Sequence, residues 1–229
     1  MAVPGIIPFR KCQPRFLDGL LPAEVKTIVS AAKQLRYPAK SVIAHQGDPA
    51  EHFFLLVSGR ARLFYLTSRG RKLILRWLTP GDICGQAALQ CRPSEYLIGT
   101  EAVHSSSVLV WERASIRALI ARYPQLNDNT LLVMCDYLAF YRDAHIALTH
   151  DTAHQRLAHA LTNLAKTIGQ SADRGIEVDV RNEELASEAN VTPFTASRLV
   201  SAWQRKGILT KSRGKLLLRS PELLFQHEK

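Results

Sequence analysis

The run Thr192-Pro193-Phe194-Thr195-Ala196-Ser197-Arg198 places a guanidinium, three hydroxyls and an aromatic ring within two helical turns. Arginine forks onto guanine O6 and N7 in a DNA major groove, and threonine or serine hydroxyls reach phosphate oxygens. Thr195, Ser197 and Arg198 fall on the N-terminal outer part of the helix this run predicts, the part that enters a groove. From Arg198 to Arg219 there are seven basic residues (Arg198, Arg205, Lys206, Lys211, Arg213, Lys215 and Arg219) and no acidic one. Arg181 precedes the run. The competing role for such a segment is a helical hairpin used only for packing.

Other chemistries lack their residues. No nucleophile-elbow Gly-x-Ser-x-Gly, P-loop, His-Glu-x-x-His or dinucleotide fingerprint is present, and Ser68-Arg69-Gly70-Arg71-Lys72 sits in a predicted hairpin, not ahead of a helix. Catalysis is not expected. The four cysteines, Cys12, Cys84, Cys91 and Cys135, have no Cys-x-x-Cys spacing and no paired histidines, which disfavours zinc and iron–sulfur sites. His45, His52 and His104 lie in one region without ligand spacing. No cofactor is predicted.

The elements that must position the Arg198 set are legible on either side of it. Arg181-Asn182-Glu183-Glu184 opens a short helix, with Asn182 as its expected N-cap and acids in its first turn. Ala189-Asn190-Val191 supplies a tight turn. Thr192 caps a second helix with Pro193 at its first position, where the missing N–H costs nothing. Leu199, Val200 and Trp203 are expected on its buried face. Two short strands around Arg213-Gly214-Lys215 predict a basic wing carrying Lys211 and Arg213. Ahead of this, Leu157, Leu161, Leu164 and Ile168 form one apolar helical face, and Ile176–Val180 alternates as an edge strand would.

Residues 35–111 read as strands at 41–44, 53–57, 61–66, 73–78 and 107–110, with turns at Gln46-Gly47-Asp48, Ser58-Gly59, Ser68-Arg69-Gly70 and Pro80-Gly81-Asp82. Turns spaced about ten residues apart predict an antiparallel roll. A helix over 112–123 ends at Pro124, and a long helix follows to about His150. Along it Leu131, Leu138 and His145 recur at spacing seven, interleaved with Met134, Tyr141 and Leu148. That is an a/d seam, which predicts a symmetric two-stranded coiled coil. Docking on the chain's own β-domain is the alternative. Asp128, Asp136, Arg142 and Asp143 mark its expected exposed flank.

The chain has 229 residues, 46% of them hydrophobic and 22% charged, and a net charge of +10. This composition suits a folded protein with a polyanionic partner. No apolar run is long enough for a bilayer, and the N-terminus lacks the basic and small-residue features of a secretory signal. A cytoplasmic protein with no membrane partner is expected.

With these motifs in this order, the chain resembles the Crp/Fnr family of bacterial regulators over nearly its full length. Gly47-Asp48, Val57-Ser58-Gly59 and Pro80-Gly81-Asp82-Ile83-Cys84-Gly85 stand where the family's cyclic-nucleotide-binding β-roll has its turns. The resemblance implies an α+β chain in three parts. Residues 1–122 form a jelly-roll-like antiparallel sensor roll, 123–151 a dimerisation helix, and 152–229 a winged helix-turn-helix. It also implies a homodimer that binds a pseudo-palindrome in double-stranded DNA and regulates transcription through RNA polymerase. The rival is a ligand-binding or signalling module whose C-terminal part contacts protein.

The departures from the family are specific. Its cyclic-nucleotide members carry a Glu after the cassette glycine, for the ribose, and an Arg further on, for the cyclic phosphate. Here the candidate pocket residues are Gly85, Gln86, Ala87, Tyr96 and Thr100, with Gln86 at the acid and Tyr96 near the arginine. A phosphate without a guanidinium partner is expensive to desolvate, and Glu101 is expected to repel it, so cyclic AMP is not the expected effector. Arg92 is the nearest substitute cation. The iron–sulfur members' N-terminal cysteine group is reduced to Cys12. Cys84 and Cys91 flank the cassette as candidates for oxidation. In the recognition helix Phe194 replaces the family's Glu while Arg198 remains. This predicts a half-site that keeps its Arg-read G·C pair and differs at the neighbouring base, with Phe194 suited to a thymine methyl.

Overall fold

The computed structural model describes residues 14–212 and 214–225; Cys12 and Arg213, named above, lie outside the described residues. The chain divides into two compact units, Met1–Ala139 and Phe140–Lys229.

The first unit runs α1 (Pro22–Ser30), β1 (Lys33–Tyr37), β2 (Val42–Ala44), β3 (His52–Ser58), β4 (Ala61–Leu66), β5 (Lys72–Leu78), β6 (Ile83–Cys84), β7 (Gly99–Ala102), β8 (Ser106–Glu112), α2 (Arg113–Arg122) and the start of α3 (Gln125–His150). Its strands form two antiparallel sheets, ordered β1-β8-β3-β6 and β2-β7-β4-β5. This is the predicted roll. Three strands were not expected. β1 is a polar segment, Lys-Gln-Leu-Arg-Tyr, exposed along most of its length. β6 has only two residues, and β7 is Gly-Thr-Glu-Ala. None carries the apolar alternation that betrays a strand.

Alternation along β3 and β8 divides their side chains between two layers. On one side Phe53 and Trp111 meet Phe16, with Phe16 and Phe53 centroids 4.9 Å apart. The Trp111 indole donates to the Ile28 carbonyl of α1 at 2.8 Å. On the other side Phe54, paired with Cys84, faces the second sheet. There the Cys84 thiol bonds Thr100, so Thr100 points into the roll and its neighbour Glu101 points out.

That orientation corrects the reading of Glu101 as a repulsive charge in the pocket. Arg62, directly opposite it on β4, and Lys72 on β5 both bond its carboxylate, on the outer face of the sheet. Burial opposes ionisation, but the Lys72 and Arg62 bonds outweigh it and hold the carboxyl below its ordinary range. Both cations also lie over aromatic rings, Arg62 over Trp77 and Lys72 over Phe64. Arg76 on β5 faces the other way. It pairs with inward Leu63, and its guanidinium lies 4.5 Å from the Tyr137 ring centroid.

The start of α3 is fixed to this unit. Asn129 donates to the Phe16 and Asp18 carbonyls at 3.0 and 2.8 Å, and the Tyr137 hydroxyl donates to the Ile83 carbonyl at 3.2 Å. Asp136 is exposed, as expected of that flank, and is ion-paired with Arg15. Leu126, Asn129, Thr130 and Tyr137 are the buried residues of the helix. The predicted seam lies roughly a quarter of a turn round the axis from them. Leu131 is 60% exposed and Leu138 71%, with Leu148 exposed too. Met134 and Tyr141 are half-buried, and His145 is exposed.

The second unit contains the end of α3, then α4 (Ala153–Ile168), β9 (Gln170–Ala172), β10 (Gly175–Asp179), α5 (Asn182–Glu188), α6 (Pro193–Arg205), β11 (Leu209–Ser212) and β12 (Lys215–Leu218). Its sheet is ordered β11-β12-β10-β9. β10, expected at an edge, is an inner strand paired on both sides. Its alternation came from facing α4 on one side only.

Glu101→Gln should destabilise the protein by about 2–3 kcal/mol near neutral pH, less than a fully buried pair because Lys72 is partly solvated. A carboxylate whose pKa is lowered by folding stabilises above its unfolded pKa, and that contribution is lost as pH falls through the folded value. Urea unfolding of both proteins should therefore show the difference shrinking below about pH 4. A difference independent of pH would assign the loss to packing.

Candidate nucleic-acid interface and effector pocket

α4 supplies the platform for the second unit. Its N-cap is reciprocal: Thr152 Oγ1 accepts from the Gln155 N–H at 3.2 Å, and Gln155 Oε1 accepts from the Thr152 N–H at 2.8 Å. Leu157, Leu161, Leu164 and Ile168 are all buried, as their spacing predicts. Arg156 reaches from this helix to the Ala189 carbonyl in the turn, at 3.2 Å, and to the Asp151 carbonyl at 2.8 Å. Spacing alone does not reveal that role, because an arginine on a helix reads as solvated.

The helix-turn-helix follows from three local choices. Asn190 adopts φ +47°, the left-handed backbone that asparagine tolerates. The chain then reverses so that the Val191 N–H reaches the Ala186 carbonyl at 2.9 Å. Thr192 caps α6, accepting from the Thr195 N–H at 3.1 Å. The cap of α5 differs from the expectation. Arg181 is its N-cap, with the Glu184 carboxylate accepting the Arg181 N–H at 2.9 Å and its guanidinium at 3.0 Å. Asn182, displaced to the first helical position, instead donates to the Pro193 carbonyl at 3.0 Å. That bond ties the starts of the two helices together.

The inner face of α6 is Ala196, Val200 and Trp203. Leu199, expected there, is only half-buried. The Trp203 indole donates to His154 Nε2 of α4 at 3.2 Å, which anchors α6 near its C-terminal end. Pro193, Phe194 and Arg198 are exposed, while Thr195 and Ser197 are half-buried. The Thr195 hydroxyl lies 2.9 Å from that of Thr192, so it belongs to the cap as well as to the outer surface. On the wing, Lys211 is exposed, and Lys215 bonds Glu177 at 2.6 Å. Between the wing and the start of α5 lies a cleft of about 240 Å³ whose lining includes Arg181, Glu183, Lys211 and Lys215. An exposed helix start flanked by such a basic cleft can follow a phosphate backbone while α6 reaches base edges.

In the first unit, the polar groups of the candidate pocket residues are bonded to neighbouring groups of the roll. Gly85 takes φ +78° at the start of a 3-10 turn over Gln86–Leu89. A Cβ at Gly85 would lie 2.7 Å from the His52 carbonyl and 2.8 Å from the Phe54 ring, so only glycine fits. Gln86 donates to the Ile83 carbonyl at 3.2 Å. The Tyr96 hydroxyl accepts from the His52 N–H at 2.9 Å and donates to the His52 carbonyl at 2.8 Å. Burial pushes the Tyr96 phenol up to about 12, so it is a neutral hydroxyl at physiological pH. Ala87 accepts from Ser94 at 3.1 Å through its carbonyl, and Arg92 is exposed.

Burial also pushes the Cys84 thiol up to about 12. That removes the thiolate an oxidisable cysteine needs, and so corrects its candidacy beside exposed Cys91. His45, His52 and His104 are all exposed, and the described residues contain no His, Cys, Asp and Glu grouping suited to a metal.

Comparison with known proteins matches both units. The cyclic nucleotide-binding domain family matches residues 34–123, and the Crp-like helix-turn-helix domain family residues 155–226. The cyclic AMP receptor protein of Thermus thermophilus is 30% identical over 217 residues, covering 93% of this chain and 96% of its own length. Among solved structures, the c-di-GMP responsive regulator CLP of Xanthomonas campestris superposes with a TM-score of 0.77 at 17% identity, over 86% of this chain and 99% of that one. FixK2 of Bradyrhizobium japonicum gives 0.72 at 24% identity, over 84% and 95%. With both domain families matched in chain order and a relative 30% identical over nearly its full length, the chain belongs to the Crp/Fnr family of DNA-binding transcription regulators.

Proposed function

We propose that two copies of this chain pair along α3 and bind a pseudo-palindromic site in double-stranded DNA without control by cyclic AMP. The observation that carries the DNA reading is the exposed start of α6, with Arg198 and Phe194 facing outward beside the Lys211 wing. Arg198 reads guanine in each half-site. Thr192, Pro193, Thr195 and Ser197 line the approach to the groove. Arg181 and Lys211 contact phosphates, and Arg181 does so with part of its charge spent on Glu184. The partner in transcription is RNA polymerase and the compartment the cytoplasm. No helix among the described residues is long and apolar enough to cross a membrane.

Pairing is supported by the exposed Leu131, Leu138 and Leu148, which continue through Met134, Tyr141 and His145. A seam of this spacing on a 26-residue helix has its own unit on a different side and leaves its apolar edge for a second copy. Independence from cyclic AMP is supported by the pocket chemistry. The Thermus relative carries cyclic AMP in its name. Here Gln86 replaces the acid of the family's nucleotide-binding members, and Tyr96 falls near their arginine. Both side chains satisfy backbone groups of the roll itself. No small-molecule effector is assigned.

Selection of bound sites from genomic DNA, with reduced protein and no added ligand, should return one palindrome with half-sites about one helical turn apart. Cyclic AMP should leave its affinity unchanged, and raised salt should weaken it steeply. A site bound only with cyclic AMP would sink the effector reading. Arg198→Ala should lose about 1–3 kcal/mol of discrimination at one base pair per half-site; uniform weakening would make Arg198 a phosphate contact. Leu138→Arg should yield a monomer by sedimentation and weaken palindrome binding roughly 100-fold or more, with half-site binding unchanged.

A further inference from the structure

Phe194 is 79% exposed, the highest value among the large apolar side chains of the described residues. It stands on the second residue of α6, one turn before exposed Arg198 and away from the buried Ala196, Val200 and Trp203. Its position is tightly set. The Thr192 cap bonds the Thr195 N–H, and Asn182 holds the Pro193 carbonyl immediately beside it. The backbone that carries this exposed ring is therefore fixed at the leading end of a helix whose surroundings are cationic, with no Asp or Glu from Ala189 to Pro221.

In a major groove that ring has few acceptable neighbours. Without an acceptor it cannot pair the N4 amine of cytosine or the N6 amine of adenine, and covering either leaves a donor desolvated. Nor can it donate to guanine. The apolar group a base edge offers there is the C5 methyl of a pyrimidine. With Arg198 taking the acceptors of a guanine on the same face, the helix carries one polar and one apolar reader, a turn apart.

Building on the DNA-binding reading above, we infer that Phe194 reads a pyrimidine C5 methyl beside the base pair held by Arg198. Thymine and 5-methylcytosine share that chemistry. The contact is a specificity determinant: it discriminates by burying one methyl group and by penalising amines that it cannot pair.

The test uses the full-length protein and the selected palindrome, with each thymine replaced in turn by deoxyuridine, which removes only the methyl. Fluorescence anisotropy should find one position per half-site where deoxyuridine weakens binding about three- to fivefold, the worth of one buried methyl. Phe194→Ala, at an exposed position that folding does not need, should abolish that difference while still binding the palindrome. At the same position, cytosine and 5-methylcytosine separate the two sources. A gain from 5-methylcytosine means that either methyl serves, and no gain restricts the contact to thymine. Equal binding of thymine and deoxyuridine everywhere would overturn the inference, as would a methyl effect that persists in Phe194→Ala. Recovery of no bound sequence at all would instead overturn the DNA-binding reading on which it rests.

Discussion

The backbone of Asn190 sets the angle between α5 and α6, and with it everything that α6 can present. At φ +47° the chain reverses within three residues, which lets the Val191 N–H close on Ala186. Most side chains would pay strain in that conformation; asparagine pays little. The reversal delivers Thr192 to the cap position and Pro193 to within reach of Asn182. Arg156 then satisfies the Ala189 carbonyl from below, and Trp203 fixes the other side of α6 to α4. Each bond restrains a different edge of α6. The recognition surface can therefore be small and still directional, because its frame is fixed before any DNA arrives.

A comparable economy governs α3. Its buried residues include two polar groups, Asn129 and Thr130, where a helix docked only for burial would carry apolar ones. Asn129 is committed to the carbonyls of Phe16 and Asp18, and Thr130 to its own helix. Tyr137 adds a hydroxyl bond to the Ile83 carbonyl. Polar bonds thus specify the rotation of the helix against the roll, and the strongest apolar stripe is left facing outward. The face that a packing argument would bury first is the one that remains exposed.

These two cases mark where sequence reasoning reaches and where it stops. Signals carried by one residue's own backbone were legible: the Asn190 turn, the Thr192 cap, Pro193 at the first position of α6, and the hairpin turns of the roll. So was strong periodicity, as in Leu157, Leu161, Leu164 and Ile168. Interactions that need a partner distant in sequence were not. Asn182 looked like a cap because of its type, yet Glu184 captured the cap for Arg181 and freed Asn182 for Pro193. Glu101 looked repulsive because Arg62 and Lys72 are 39 and 29 residues away. β1, β6 and β7 were missed because pairing, not composition, makes them strands.

The same distinction bears on how the roll is held. In a nucleotide-binding pocket, charged groups wait for a ligand and their desolvation is repaid when it binds. Here Gln86 and Tyr96 have found backbone partners already, and Cys84 with Thr100 closes the gap between the sheets. A cyclic phosphate entering at Tyr96 would have to break a two-way bond to His52 and would gain no guanidinium there in exchange. Tyr137 of α3, which bonds the Ile83 carbonyl next to this cassette while stacking on Arg76, links the cassette to α3. A cassette satisfied from within holds Ile83 in place, and through Tyr137 it holds α3 in one rotation.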